Sequence, residues 1–310
     1  MKYIGQKLSK IDPLEASIAT AANGWVVIED SGASPEEFAE WYLEYNYTLS
    51  PGIWCTDRTH SDLFWRVTNN FVDNENKGLF GSDELDWHSD LVPHIDAQEV
   101  VGLYAKTITY PTETWVCSST AYWNTLDENT KDFYKKLTVV LYNKGIKDND
   151  AVPFNRLFNV DWDTAYSETV VKGIRHNREI SQIKNCINLE PDIRDKFKNN
   201  RGHMAEHKFV SNHPLGFKSL FFQPYELSQF KLDGNVLSDG EKIYQNIWND
   251  LVMSDKYTYK HVWKQGDILL MDQISTIHRR PKVSSDLKRE LLRAAGWYKS
   301  SVRNHFEYVL

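Results

Sequence analysis

Strand-like runs crowd both ends of this chain and leave its middle bare, and that distribution limits the fold more than any other feature. Runs rich in β-branched and aromatic residues fall at Gly24–Glu29, Phe64–Thr68, Val100–Thr107, Thr114–Ser118 and Thr138–Tyr142. They resume at Lys208–Ser211, Ser219–Gln223, Tyr257–Trp263, Asp267–Asp272 and Arg289–Tyr298, with a turn at Lys264-Gln-Gly266. Helices only punctuate them. Ser34-Pro35-Glu36-Glu37 opens one with a capping box, Ser238-Asp-Gly-Glu241 reads as a second box, and a helical stretch over 120–137 breaks near Asp127. Strands that do not alternate with helices predict a β-sandwich or barrel with accessory helices, not a parallel α/β sheet.

Two segments carry chemistry: Trp87-His88-Ser89-Asp90, and Gly266-Asp-Ile-Leu-Leu-Met-Asp272 followed by His278. His88 and Asp90 are two residues apart, so an extended backbone sends both side chains from one face. With a second histidine they make the two-His-one-carboxylate set that holds a metal and leaves neighbouring positions open, as non-haem Fe(II) oxygenases require. His278 supplies it from 190 residues downstream, the difference between 278 and 88. Both ends of the chain must then share one core. A length of 310 residues suggests about two domains, whereas this spacing predicts a single domain over 1–310 with a lid-like or subdomain insertion at about 145–205. On the last strand, positions 289, 291, 293, 295 and 297 share a face that reads Arg, Leu, Arg, Ala, Trp. Two arginines on an otherwise apolar face imply a solvent edge or buried guanidiniums with anionic partners, and the arginine fork suits a carboxylate.

These residues resemble the TauD/TfdA (taurine dioxygenase-like) family of Fe(II)- and 2-oxoglutarate-dependent oxygenases. The resemblance rests on Trp87-His-Ser-Asp90, on Tyr104-Ala-Lys106 through Thr114-Trp115, on Trp263-x-x-Gly-Asp-Ile-Leu-Leu-x-Asp272, and on His278 followed by Arg289 and Arg293 at 11 and 15 residues. It covers 85–142 and 207–298 well and 145–205 hardly at all. It implies a mainly β (α+β) fold, a double-stranded β-helix or jelly roll with flanking helices. It also implies His88, Asp90 and His278 as iron ligands, and Thr114 with Arg289 on the distal carboxylate of 2-oxoglutarate. Arg293 falls near the C1 carboxylate or the substrate's own anionic group. A carboxylate at Asp90, where related halogenases have a small residue, favours hydroxylation or desaturation, with 2-oxoglutarate and O2 converted to succinate and CO2. The family's Asp-Asn pair is Asp272-Gln273 here, a departure read as touching loop geometry and not the ligands.

Other readings stand beside this one. Zinc accepts the same three ligands and would make a hydrolase or lyase, with Arg289 on the substrate; a non-catalytic jelly-roll binding protein is the third class. His60-Ser61-Asp62 repeats the ligand spacing but reads as a surface loop. His94 reads as a polar residue at the site mouth in reach of substrate, and Trp87 as the aromatic to move from core to pocket. His203 and His207 read as solvated or as supports behind the ligands, and Arg293 alternatively as half of a structural ion pair, with a neighbour such as Glu290 or a helix end. Arg279, Arg280 and Arg293 near the mouth make a small carboxylate, sulfonate or amino-acid substrate the expectation. A formal net charge of −7 without a basic run argues against nucleic acid. Three scattered cysteines, no signal-like segment and no apolar run of membrane-spanning length point to a reducing, cytoplasmic setting. The sequence is silent on oligomeric state.

Overall fold

The computed structural model describes residues 2–3, 10–49, 60, 63–69, 71–72, 75–76, 79–90, 98–142, 186–187, 204–213, 217–299 and 301–302. Most of the polar stretch at 145–205, and His94 and His203 with it, lies outside these residues.

In chain order the strands that build the site are β1 (Trp25–Ile28), β2 (Asn46–Leu49), β3 (Trp65–Thr68), β4 (Leu85–His88), β5 (Val100–Ile108) and β6 (Glu113–Ser118). After them come β7 (Leu137–Tyr142), β8 (Met204–Lys208), β9 (Leu227–Leu232), β10 (Thr258–Val262), β11 (Ile268–Asp272), β12 (Thr276–Arg280) and β13 (Arg289–Tyr298). The major sheet runs β1-β11-β5-β13-β2, with β3 also paired to β13; the minor sheet runs β10-β6-β12-β4. Strands from the two halves of the sequence therefore interleave: β5 lies between β11 and β13, and β6 between β10 and β12. This is a jelly roll of two packed sheets.

Period-two alternation sorts the side chains into layers. Between the sheets, Val27, Val101, Leu103, Leu269, Met271, Leu291 and Ala295 of the major sheet meet Val116 of the minor one and Trp263 beyond β10. On the outer face of the major sheet, Val26, Ile28, Val100, Ile268, Leu270, Leu292 and Ala294 pack under α1 (Pro13–Asn23) and α2 (Pro35–Tyr45). Asp12 caps α1, accepting from the Leu14 and Glu15 backbone N–H groups at 2.7 and 3.2 Å. Ser34 and Glu37 form the expected capping box of α2. The outer face of the minor sheet, with Trp87, Cys117 and Ile277, is covered by a third sheet built on β8-β7-β9 and by α3 (Ser119–Trp123), α4 (Glu128–Tyr134) and α5 (Gly240–Ile247). Asp127 caps α4, at the break anticipated in the 120–137 stretch.

Two local expectations change. Ser238 forms no capping box: α5 starts at Gly240 with Asp239 as its cap residue and no side-chain bond to the helix. The Gly240 N–H bonds the Leu237 carbonyl at 3.3 Å, and this turn holds Asp239 near φ −101°, ψ 15°, away from the extended conformation from which a cap side chain reaches inward. The run at Lys208–Ser211 is divided by Phe209, which ends β8 and starts a hairpin at Val210–Asn212.

Gly102 sets the seat of α2. A Cβ there would lie 3.0 Å from Phe38 Cζ and 3.0 Å from Tyr42 Cε2, both rings fully buried. Both rings would have to give by a few tenths of an ångström. Gly102→Ala should lower unfolding stability by about 1–3 kcal/mol, read as a shifted urea midpoint at constant m-value; an unmoved midpoint would show that the layer repacks freely.

Candidate active site

The site forms where alternation turns side chains of both sheets into the space between them. On β12, Ile277 points outward into the core beneath the third sheet and His278 points inward. On β4, Trp87 is the outward neighbour and His88 the inward one. The antiparallel ladder makes His88 and His278 direct partners, with ring centroids 4.3 Å apart. Ser89 turns the chain, its hydroxyl donating to the Thr276 carbonyl at 2.9 Å, so that Asp90 meets both histidines: Nε2 of His88 and Nε2 of His278 each lie 3.9 Å from a carboxylate oxygen. One ligand atom from each of the three falls within 4.8 Å of the others. The two 3.9 Å His–Asp separations are within twice an ordinary metal–ligand distance of about 2.0–2.2 Å, so the three groups converge on room for one ion. Among the described residues this is the one cluster of its kind.

The protonation states suit a metal. His88 Nδ1 lies 2.5 Å from the Asp86 carbonyl; a carbonyl only accepts, so Nδ1 carries the proton and Nε2 presents its lone pair to the site. Burial, helped by the neighbouring His88, pushes His278 down to about 3, so it is a neutral ligand. Burial alone would raise Asp90, but Arg293 and the two histidines outweigh it and hold the carboxyl at about 2. Arg293 donates to one Asp90 oxygen through Nε at 3.0 Å, with Nη2 also 3.0 Å from it, and through Nη2 to Gln98 at 3.1 Å. Its guanidinium also lies 5.2 Å from the Trp65 ring centroid.

Arg289 differs in having no such partner. It is 2% exposed, lines the same cavity as the triad, and its Nε and Nη1 make no hydrogen bond among the described residues. Desolvation lowers its pKa to about 9, and Arg280 beside it acts in the same sense. A buried fork with free N–H groups is what a carboxylate ligand fits. Thr114 lines that cavity too. Its Oγ accepts from Trp263 Nε1 at 2.9 Å, which leaves the hydroxyl hydrogen to donate elsewhere.

Several expected roles are placed differently. Trp87 is not in the pocket: the pleat that turns His88 inward turns Trp87 outward, where it is 3% exposed and 6.3 Å from Trp115. Arg293 does form an ion pair, but with Asp90 and not Glu290, which pairs with Arg66 at 3.0 Å and Lys106 at 3.2 Å. Of three arginines expected at the mouth, Arg279 faces the other way, over Trp115 and against Glu84 at 2.9 Å, and Arg280 is buried in the cavity wall. His60 bonds Glu36 at 2.7 Å, on the helix side, and the His207 ring packs on Phe221. The Asp272-Gln273 departure does reach a proposed ligand, for Gln273 Oε1 accepts the backbone N–H of Asp90 at 2.5 Å. Gln98, which holds Arg293, belongs to no motif and carries no sequence signal.

Residues 6–295 match the family described as Taurine catabolism dioxygenase TauD, TfdA family. The chain belongs to that family. It is an Fe(II)- and 2-oxoglutarate-dependent oxygenase, and the family's cofactor set of Fe(II), 2-oxoglutarate and O2 fits the three-ligand cluster. The crystal structure of a taurine dioxygenase from Burkholderia xenovorans shares the fold at TM-score 0.61 and 16% identity, covering 95% of this chain and 86% of that one. That of AAD-2 in complex with Mn(II) and N-oxalylglycine does so at TM-score 0.62 and 17% identity, covering 95% and 94%. No curated protein matches the chain in sequence. A zinc hydrolase or lyase and a non-catalytic binding protein find no support in this membership. No helix among the described residues is long and apolar enough to cross a membrane.

Proposed function

We propose that this oxygenase holds Fe(II) with His88, Asp90 and His278, binds the distal carboxylate of 2-oxoglutarate with Arg289 and Thr114, and hydroxylates or desaturates a small polar or anionic metabolite. The unpartnered guanidinium of Arg289, buried in the cavity of the triad, carries this reading.

Bound Fe(II) with 2-oxoglutarate supplies O2 activation coupled to oxidative decarboxylation of the cosubstrate to succinate and CO2. The chain does the rest. Asp86 fixes the His88 tautomer, and Arg293 and Gln273 hold the Asp90 side chain and backbone. These supports set the orientation of two of the three ligands. Val67, Leu85, Val101, Leu103 and Leu291 line the same cavity and exclude water from the reacting centre. Its charged lining has three guanidiniums, of Arg280, Arg289 and Arg293, against one carboxylate, Asp90. This excess of two supports an anionic occupant, and the dianion 2-oxoglutarate matches it. Single-domain organisation over 1–310 with an insertion at 145–205 belongs to the same proposal, with specificity in that insertion as in loops generally.

Anaerobic addition of Fe(II) and 2-oxoglutarate should produce a visible metal-to-ligand charge-transfer band, and aerobic incubation with a metabolite panel should release succinate. Folded protein that gives neither overturns the assignment. If only neutral metabolites drive succinate release, the anionic part of it fails.

A further inference from the structure

Arg280 is the side chain in this cavity whose presence the triad and Arg289 leave unexplained. Alternation on β12 places it two residues beyond His278 on the same inward face, where it is 3% exposed. Its Nη2 donates to the Asp83 carbonyl. Arg289, with Nε and Nη1 open among the described residues, lines the same cavity, and Arg280 is close enough to belong to its electrostatic surroundings. Tyr110, whose hydroxyl donates to the Ser284 carbonyl at 3.3 Å, adjoins both and stays a neutral phenol, as burial raises it. Two buried cations so placed repel one another and leave positive charge that a ligand can use.

We propose that Arg280 and Arg289 form a two-guanidinium clamp on the distal carboxylate of the cosubstrate, and that Arg280 sets the preference for a dicarboxylate 2-oxo acid. The inference rests on the assignment of 2-oxoglutarate to this cavity. A carboxylate offers about four acceptor positions. The Thr114 hydroxyl takes one and the Arg289 fork two, which leaves one for Arg280.

The test is anaerobic titration of the Fe(II) protein, followed through the charge-transfer band, with 2-oxoglutarate and with 2-oxopentanoate, which has the same chain length and no distal carboxylate. In R280M the 2-oxoglutarate dissociation constant should rise at least tenfold while that for 2-oxopentanoate stays within twofold of wild type. R280K, which keeps the charge but not the fork, should fall between. Equal weakening of both acids would mean that Arg280 merely braces the strand through Asp83, and unchanged 2-oxoglutarate affinity would mean that it does not touch the carboxylate; either overturns the clamp. A wild-type protein without a band removes the cosubstrate assignment and the clamp with it. Should R280M fail to fold, R280K carries the comparison, and 2-oxoglutarate affinity equal to wild type overturns the proposal.

Discussion

Asp90→Ala should abolish iron-dependent turnover and also cost about 3–5 kcal/mol of folding stability, the usual penalty for removing one partner of a buried ion pair. Both side chains lie largely out of water, at 12% and 6% exposure, and the alanine leaves the Arg293 guanidinium with Gln98 in place of a carboxylate. Adding Arg293→Met should recover most of the stability and none of the activity, since the cost lies in the stranded charge. Urea denaturation of the metal-free proteins, with metal analysis alongside, separates the two effects. If Asp90→Ala is as stable as wild type, Gln98 suffices and the pair is not coupled. A pH dependence follows from the lowered carboxyl of Asp90, at about 2 in the folded protein. Its contribution is complete above the ordinary carboxylate value near 3.9 and is lost as pH falls through that value toward 2.

Arg289→Met should move binding and stability in opposite directions. Affinity for 2-oxoglutarate should fall by about a hundredfold or more, because each charge-assisted hydrogen bond to the carboxylate is worth about 1.5–3 kcal/mol. The unliganded protein should be as stable as wild type or more so. The side chain removed is a buried cation with open N–H groups, and methionine fills similar volume without the desolvation cost. Thermal melts with and without Fe(II) and 2-oxoglutarate would show both effects. A fall of several degrees in the unliganded melting temperature would mean that Arg289 is structural and not poised for a ligand.

Part of this site could be read from the sequence because both histidines and the arginines sit on strands, where a period of two converts spacing into direction, whereas Asp90 lies just past the end of β4 on a turn. Arg289, Leu291 and Arg293 on one face follow from that rule alone; Asp90 meets His88 as expected, but through the turn at Ser89 and not through an extended backbone. The same rule, applied one residue back from His88, sends Trp87 outward. Arg279 and Arg280 escaped it because Thr276–Arg280 is absent from the strand-like runs: two arginines before Pro281 hide a strand whose inward guanidinium is buried and whose outward one lies on Trp115. Gln273 and Gln98 act through contacts that span 183 and 195 residues, and no local pattern encodes such a meeting. The Ser238 box failed for a related reason, since a backbone bond from Gly240 to Leu237 decided the conformation of the cap residue.

The direct pairing of His88 with His278 across β4 and β12 also has a temporal meaning. During synthesis the first histidine and the carboxylate leave the ribosome long before the second histidine exists. No complete metal site can be present until β12 has been made and has docked beside β4. Closure of so long a loop is slow in a fold dominated by non-local pairing. Metal that binds only the closed state then favours that state by mass action, so the ion acts as a clasp on the finished barrel. Metal retention thereby becomes a report on whether the two halves of the chain have met.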